Sequence, residues 1–292
     1  MVLEIISAEQ RLKEKKGHKI VICGSSGVGK TTLATTLDPQ KTLFIDLEAG
    51  DTAIKNHPID VYRPRTWPEC VDLACFLGGA NPSLQDGDNY SQAHYDFVKQ
   101  QHGNPDSIIS KYDTLFIDSI TVAGRLCFTW CTQQPEARSD RSGKLDTRAA
   151  YGLHGRQMMA WLSHLQHIRE KNVVFVGILD EITDDYNRKI YSLQIEGSKT
   201  SRELPGIVDE VLTMAVLSSD AGPYRAFVCQ PLNEWGYPAK DRSGMLDTLE
   251  EPHLGKLITK MDNSATQQPQ EFVDPKTRIS TSKGENGNDK SK

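Results

Sequence analysis

The hydrophobic positions of this chain form short apolar runs, separated by longer stretches in which apolar residues recur at helical spacing. Strand-like runs occupy residues 19–23, 42–46, 59–62, 113–118, 173–179, 208–217 and 224–229. Helix-like stretches occupy residues 30–37, 67–77, 90–101, 119–132, 151–171 and 253–261, and residues 183–195 suggest a hairpin with a charged tip. Strands that alternate with helices favour a mostly parallel sheet covered by helices on both faces, so the predicted fold class is α/β.

The distribution of polar residues divides the chain into a core and two polar ends. Residues 1–18 finish in a charged run and are predicted to be an N-terminal lead-in, whereas residues 19–261 form one predicted domain. Within this domain, residues 78–110 are rich in Gly, Asn, Pro, Asp and Gln, which indicates an insertion with one helix. Residues 262–292 carry almost no apolar side chain, so they are predicted to be a disordered C-terminal tail.

Charge and cysteine content narrow the range of functions. The 292 residues carry a formal net charge of −5, which argues against a protein that coats nucleic acid with its whole surface but does not exclude a local basic patch. The six cysteines lack the close spacing of zinc sites, and we interpret them as reduced thiols of the core. No apolar run reaches transmembrane length and the first residues lack a signal-peptide layout, so we expect a soluble cytoplasmic protein without a membrane partner.

One stretch fits the phosphate-loop pattern G-x-x-x-x-G-K-[ST] between a predicted strand and a predicted helix. Its residues, together with the next hydroxyl, are Gly24, Ser25, Ser26, Gly27, Val28, Gly29, Lys30, Thr31 and Thr32. The glycines allow successive N–H groups to curl around an anion, Lys30 can reach the β- and γ-phosphates, and the Thr31 hydroxyl can bind Mg²⁺. The sequence therefore predicts a nucleoside triphosphate site with Mg²⁺. The alternative is a glycine-rich turn that binds nothing.

Two carboxylates follow apolar strands downstream of this loop. Asp118 ends the run 113–118, where it suits the metal side of a bound nucleotide; the alternative is an aspartate that only caps the next helix. Glu48 follows the strand 42–46, which we expect near the first strand, so Glu48 is our candidate for orienting or deprotonating the attacking water. Asp46 is the second choice for that role, and a plain surface glutamate is the alternative for Glu48.

These three segments occur in an order that resembles the ATPase core of RecA-type recombinases. The chain is most similar to the compact phage-encoded RecA-like ATPases of single-strand annealing and recombination, and its segments 204–211 and 235–244 extend that similarity. The resemblance implies a RecA-like fold and ATP hydrolysis with Mg²⁺, with Lys30 in the phosphate loop, Glu48 as the water-activating residue and Asp118 as the metal-side carboxylate. One position departs from the pattern: where the family has a polar switch residue after the strand matching 173–177, this chain reads Asp180 and Glu181.

The same resemblance implies single-stranded DNA as a partner, a ring or filament of identical subunits, and a single-strand-binding protein as a further partner. A phage-encoded chain would work in the host cytoplasm. Two loops, residues 133–156 and 183–200, are expected to line the DNA path with the cations Arg138, Arg141, Lys144, Arg148, Arg188 and Lys189. The alternative is that both are simply solvated loops. The cations expected to complete a neighbouring subunit's site are Lys199 and Arg202, with Lys240 and Arg242 as competitors.

Two other functions stay open at this point. The first is a helicase-loader or motor ATPase with a protein partner or a duplex track. The second is a nucleotide-dependent interaction protein with little turnover, which the acids Asp180 and Glu181 at the switch position would suit.

Overall fold

The computed structural model describes residues 5–183, 186–187 and 189–263. The predicted DNA-binding residue Arg188 lies outside the described residues. So does almost all of the predicted tail, because its residues 264–292 are not described.

A mostly parallel sheet of ten strands forms the centre of the described part of the chain. The strands are β1 Lys19–Gly24, β2 Thr42–Asp46, β3 Asp60–Tyr62, β4 Thr114–Asp118, β5 Asn172–Thr183, β6 Lys189–Leu193, β7 Glu210–Ser219, β8 Gly222–Val228, β9 Lys240–Asp241 and β10 Leu249–Glu250. Their order is β10-β8-β7-β1-β5-β4-β2-β3, with β6 paired to β5 and β9 to β7. The path from β7 to β3 is parallel throughout, and the remaining strands pair antiparallel.

Helices cover both faces of this sheet. In the described residues they are α1 Ala8–Lys13, α2 Trp67–Gly78, α3 Gln92–His102, α4 Pro105–Ile109, α5 Ile120–Cys131, α6 Thr147–Gln166, α7 Ser198–Ile207 and α8 Leu254–Asp262. On one face α2, α5 and α6 pack around Trp67, Trp161 and Phe175, and on the other α8 packs with Phe44 and Phe227. Strands β1, β2 and β4 are therefore buried along their whole length, as parallel strands with two covered faces must be. The predicted α/β class, a mostly parallel sheet covered by helices on both faces, is confirmed.

Several local expectations need correction. Strand β2 does not lie beside β1, because β5 and β4 stand between them. The chain after the phosphate loop is a 3₁₀ helix, Thr31–Thr36, instead of an α-helix to residue 37. Helix α6 begins at Thr147 and not at residue 151, because the Asp146 carboxylate caps its free N–H groups. Helix α7 was not predicted at all, since Pro205 and Gly206 are poor helix formers.

Other expectations agree with the structure. The polar segment 78–110 contains the expected helix as α3, followed by α4, and both pack against α2. All six cysteines are buried and none forms a disulfide. Within the described part of the chain, no helix has both the length and the apolar composition needed to cross a bilayer.

Candidate nucleotide-binding site

The phosphate loop leaves the carboxyl end of β1 and is shaped by its glycines. Gly27 and Gly29 have φ angles of +75° and +108°, which side chains other than glycine rarely adopt. A Cβ atom on Gly24 would lie 2.5 Å from the Met214 carbonyl oxygen of the neighbouring strand β7, so only glycine fits there. The loop can therefore follow this path only with glycine at positions 24, 27 and 29.

The Lys30 side chain closes this loop. Its Nζ donates hydrogen bonds to the carbonyl oxygens of Gly24 and Ser25, both at 2.9 Å. Burial lowers the pKa of Lys30, while the nearby carboxylates of Asp118 and Glu48 act in the opposite direction. The ammonium group thus stands at the loop with acidic groups close by, where phosphate oxygens could replace the carbonyl acceptors.

Asp118 lies at the end of β4 and contacts the loop directly. The Thr31 hydroxyl donates a 2.6 Å hydrogen bond to Asp118 Oδ2. The carboxylate is only 1% exposed, and burial raises its pKa from 3.8 to about 6 against the opposing effect of that hydrogen bond. The charges of Glu48 and Asp46 raise the pKa further. Asp118 is therefore a crowded, poorly solvated anion beside the phosphate loop.

Glu48 also lies near the phosphate loop and Asp118, although β2 is not adjacent to β1. In the parallel pairing of β2 with β4, Asp46 stands opposite Asp118, so the residues that follow both strands meet at one edge of the sheet. The Ser119 hydroxyl donates a hydrogen bond to Glu48 Oε1 and also accepts one from the Val122 N–H at the start of α5. The predicted proximity of Glu48 to the loop thus holds, but it depends on β4 and not on contact with β1.

The edge of the sheet where Asp46, Glu48 and Asp118 lie contains the oxygen ligands that Mg²⁺ requires. Asp46 Oδ1 accepts a hydrogen bond from the Gly50 N–H at 2.9 Å, whereas its buried Oδ2 has no hydrogen-bond partner and lies 3.9 Å from Arg63 Nε. Together with Asp118 and the Thr31 hydroxyl, it makes a hard, negatively charged oxygen set that fits Mg²⁺. Among the described residues no group of three or more His, Cys, Asp or Glu side chains could hold a metal ion by itself. The remaining ligands would then be phosphate oxygens and water, which is the usual way Mg²⁺ is bound.

The position expected for the polar switch residue lies in a hairpin. Gly24 pairs with Ile178 of β5, and β5 continues through Asp180 and Glu181 before β6 returns antiparallel to it. The Glu181 carboxylate is bound by Lys189 at 2.7 Å. Lys189, one of the predicted DNA-binding cations, is thus neutralised within its own hairpin.

The first predicted DNA loop has a different character. Arg138, Arg141, Lys144 and Arg148 are all exposed, and among the described residues none of the four forms an ion pair. The loop joins α5 to α6, which run antiparallel, since Phe128 stacks on Tyr151 and Gly124 lies against His154. It therefore stands at the far end of α5 from Ser119.

The cations considered for a neighbouring subunit's site fall into two groups. Lys199 and Arg202 are exposed on α7, where Lys199 lies 4.0 Å from Glu203. Lys240 donates to the carbonyls of Pro205 and Val208 at the amino end of the sheet, so it has a structural role within its own subunit. Arg242 likewise forms an ion pair with Asp209 at 2.7 Å.

Two residues of the site were not assigned a role from the sequence. The sequence assigns no role to Ser119, because its contact with Glu48 depends on the pairing of β2 with β4. Arg225 of β8 was not singled out, although its Nε lies 3.8 Å from the position of a Cβ on Gly29. No local motif marks it, because this approach arises only from the pairing of β7 with β1 and β8.

Comparison with known proteins places this geometry in context. Residues 16–243 match the model of a family described as an AAA domain. Among solved structures, a KaiC-like protein from the hyperthermophilic archaeon Pyrococcus horikoshii OT3 is similar at 14% identity and a TM-score of 0.34, over 73% of this chain and 78% of that one. No curated protein matches the sequence.

Proposed function

Because this chain belongs to the AAA domain family, we propose that it binds ATP with Mg²⁺ and hydrolyses it. The observation that carries the proposal is the meeting of Glu48, Asp118 and Lys30 at one edge of the sheet, joined through the hydroxyls of Thr31 and Ser119. A glycine-rich turn that binds nothing would have no reason to gather carboxylates at its mouth, two of which, Asp46 and Asp118, are buried. Carboxylates that lie this close together lower the stability of a folded protein by charge repulsion, unless a cation binds beside them.

The phosphate loop and its lysine bind the triphosphate. The N–H groups of residues 24–32 line the loop, and Lys30 exchanges its bonds with the Gly24 and Ser25 carbonyls for bonds to phosphate oxygens. Thr31 and Asp118 would hold Mg²⁺ when it is bound, and the ion would supply positive charge against the phosphates. Asp118 must be ionised for that purpose.

Glu48 activates the attacking water. One carboxylate oxygen accepts the Ser119 hydrogen bond, which fixes the side chain and leaves the other oxygen to take a proton from water. The water oxygen forms a bond to the γ-phosphorus while the bond from that phosphorus to the β–γ bridging oxygen breaks. The products are ADP and phosphate, and the proton is carried by Glu48 before its release.

We further propose that single-stranded DNA binds the loop between α5 and α6, in recombination or annealing by a ring or filament of this chain. Four exposed cations without ion pairs among the described residues suit the phosphate backbone, and the exposed Tyr151, which stacks on Phe128 with one ring face, suits a stacked base. The recombination role itself follows from the resemblance to phage-encoded RecA-like ATPases. A single-strand-binding protein would be the natural further partner.

The test is ATP turnover by the full chain, with and without a single-stranded oligonucleotide. We expect turnover that the oligonucleotide raises severalfold. Glu48→Gln should keep ATP binding and lower turnover by roughly 100-fold or more, since a positioned base contributes about that much. Asp51→Asn, a change in the neighbouring acid that pairs with Arg63, is the matched control and should retain turnover. Full turnover in Glu48→Gln would move the role to Asp46, and turnover indifferent to DNA would remove the DNA proposal.

A second candidate is a nucleotide-dependent interaction protein that turns ATP over slowly. The ion pair of Glu181 with Lys189 favours it, because this contact occupies an acid at the expected switch position. Tight ATP binding with turnover near the background rate, with or without DNA, would support this candidate over the first. A partner-stimulated rate in the absence of DNA would instead indicate a helicase-loader or motor ATPase.

A further inference from the structure

The β7–β8 hairpin stands beside the phosphate loop and extends past it. Strand β7 pairs with β1 only as far as Thr213, opposite Cys23, and then continues to Ser219 paired with β8 alone. The hairpin therefore projects beyond the carboxyl end of β1, on the side away from β5 and β4. Nothing in the proposed hydrolysis explains this projecting wall.

One face of the hairpin combines an apolar and a cationic side chain next to the loop. A Cβ on Gly29 would lie 3.5 Å from Met214 Cε and 3.8 Å from Arg225 Nε. Val216 stands opposite Arg225 in the β7–β8 register, so the two side chains share the Met214 face of the hairpin. Val216 is 56% exposed, and within the described residues Arg225 forms no ion pair. In the part of the chain that the structure describes, neither side chain therefore has an ion-pair partner that would explain its place.

The direction of the bound nucleotide follows from the position of the carboxylates. Asp118 and Glu48 lie after β4 and β2, on one side of β1, and they mark the end where the γ-phosphate must sit. A triphosphate that crosses the loop from that end leads its nucleoside towards the opposite side of β1. That side is formed by β7 and β8.

We propose that Val216 and Arg225 form the wall against which the base and ribose of the nucleotide rest. Val216 supplies apolar surface under the base, and the planar guanidinium of Arg225 stacks on the base or bonds to its polar edge. This inference rests on the proposed nucleotide binding and names the part of the site that recognises the nucleoside. It assigns no contact with the triphosphate to either residue.

Calorimetric titration with Mg²⁺ and either ATP or inorganic tripolyphosphate separates nucleoside from phosphate recognition. Arg225→Ala and Val216→Asp should each weaken ATP binding about tenfold or more, the size expected for a lost stacked cation or a charge placed against the base. Tripolyphosphate binding should stay within about threefold of the unmodified protein, a margin set by the long-range charge of Arg225. Tyr224→Ala is the matched control, because Tyr224 is exposed on the opposite face of the same strand.

The possible results separate a failure of the nucleoside wall from a failure of nucleotide binding itself. An unmodified protein that binds neither compound would refute the nucleotide site itself. Equal losses of ATP and tripolyphosphate affinity in Arg225→Ala would place this arginine on the phosphates and overturn the nucleoside wall, as would unchanged ATP affinity in both variants. Thermal unfolding of each variant checks the fold, and Arg225→Gln replaces the alanine variant if the latter lowers the melting temperature.

Discussion

Replacing Asp118 with asparagine should stabilise the protein and abolish its turnover at the same time. The carboxylate is buried, and burial together with Glu48 and Asp46 raises its pKa to about 6, which Thr31 and Lys30 oppose only in part. An ionised Asp118 therefore costs folding free energy. The Asp118→Asn amide carries no charge and keeps an oxygen that can accept the Thr31 hydrogen bond.

The magnitude follows from the two pKa values. The difference between 3.8 and about 6 corresponds to roughly 3 kcal/mol of unfolding free energy. Because the pKa is higher in the folded state, the folded protein holds this proton more tightly than the unfolded chain. The associated stability is complete below about pH 4 and is lost as the pH rises to about 6. The variant should thus gain up to about 3 kcal/mol over the unmodified protein above that range, and almost nothing below it.

Urea unfolding followed by circular dichroism measures the effect, with both proteins free of nucleotide and metal at about pH 4 and about pH 8. Asp38→Asn, which removes an exposed carboxylate, serves as the control and should show little change at either pH. Turnover of the Asp118→Asn protein is followed by phosphate release with Mg²⁺ and ATP. A stability gain that is the same at both pH values, or a loss at the higher one, would refute the reasoning, because it would mean that the neighbours of Asp118 stabilise its charge.

Three further changes test other contacts. Ser119→Ala should lower kcat severalfold with little change in KM, because it frees the Glu48 carboxylate without touching the loop; an unchanged kcat would show that the hydrogen bond does not position Glu48. The double variant Arg141→Glu/Arg148→Glu should bind single-stranded DNA more weakly and with a flatter salt dependence, while its ATP affinity stays constant. The control is Arg169→Glu, a change of an exposed arginine at the other end of the sheet. Gly24→Ala should destabilise the protein by about 1–3 kcal/mol in urea unfolding, because its methyl group meets a β7 carbonyl; a smaller loss would mean that the strand shifts freely.

The phosphate loop could be predicted from the sequence because its geometry is local. Glycine positions set its backbone, and the flanking apolar strand and hydroxyls lie within a few residues. The proximity of Asp118 and Glu48 could also be predicted from the sequence. The carboxyl ends of parallel strands lie at one edge of the sheet, whatever the order of the strands. For this reason Glu48 lies close to Asp118 although two strands separate β2 from β1.

The remaining features depend on pairings that no short stretch encodes. The approach of Arg225 to Gly29 requires both the β1–β7 and the β7–β8 registers, and neither can be inferred from residues near the arginine. Helix α7 contradicts its own propensities, because packing of Leu204 in the core outweighs Pro205 and Gly206. Likewise, the neutralisation of Lys189 by Glu181 follows from the β5–β6 pairing, while its sequence shows only a charged tip.

Helix α5 connects the edge of the sheet that carries Glu48 and Asp118 to the loop with the four exposed cations. It starts at Ser119, which holds Glu48, and its 12 residues make an arm of about 18 Å that ends at the basic loop. A tilt of about 10° at the Ser119 end of α5 would move the loop by about 3 Å. That displacement is comparable to a hydrogen-bond length. In the function proposed above, it would be enough to make or break a contact between the loop and a DNA phosphate.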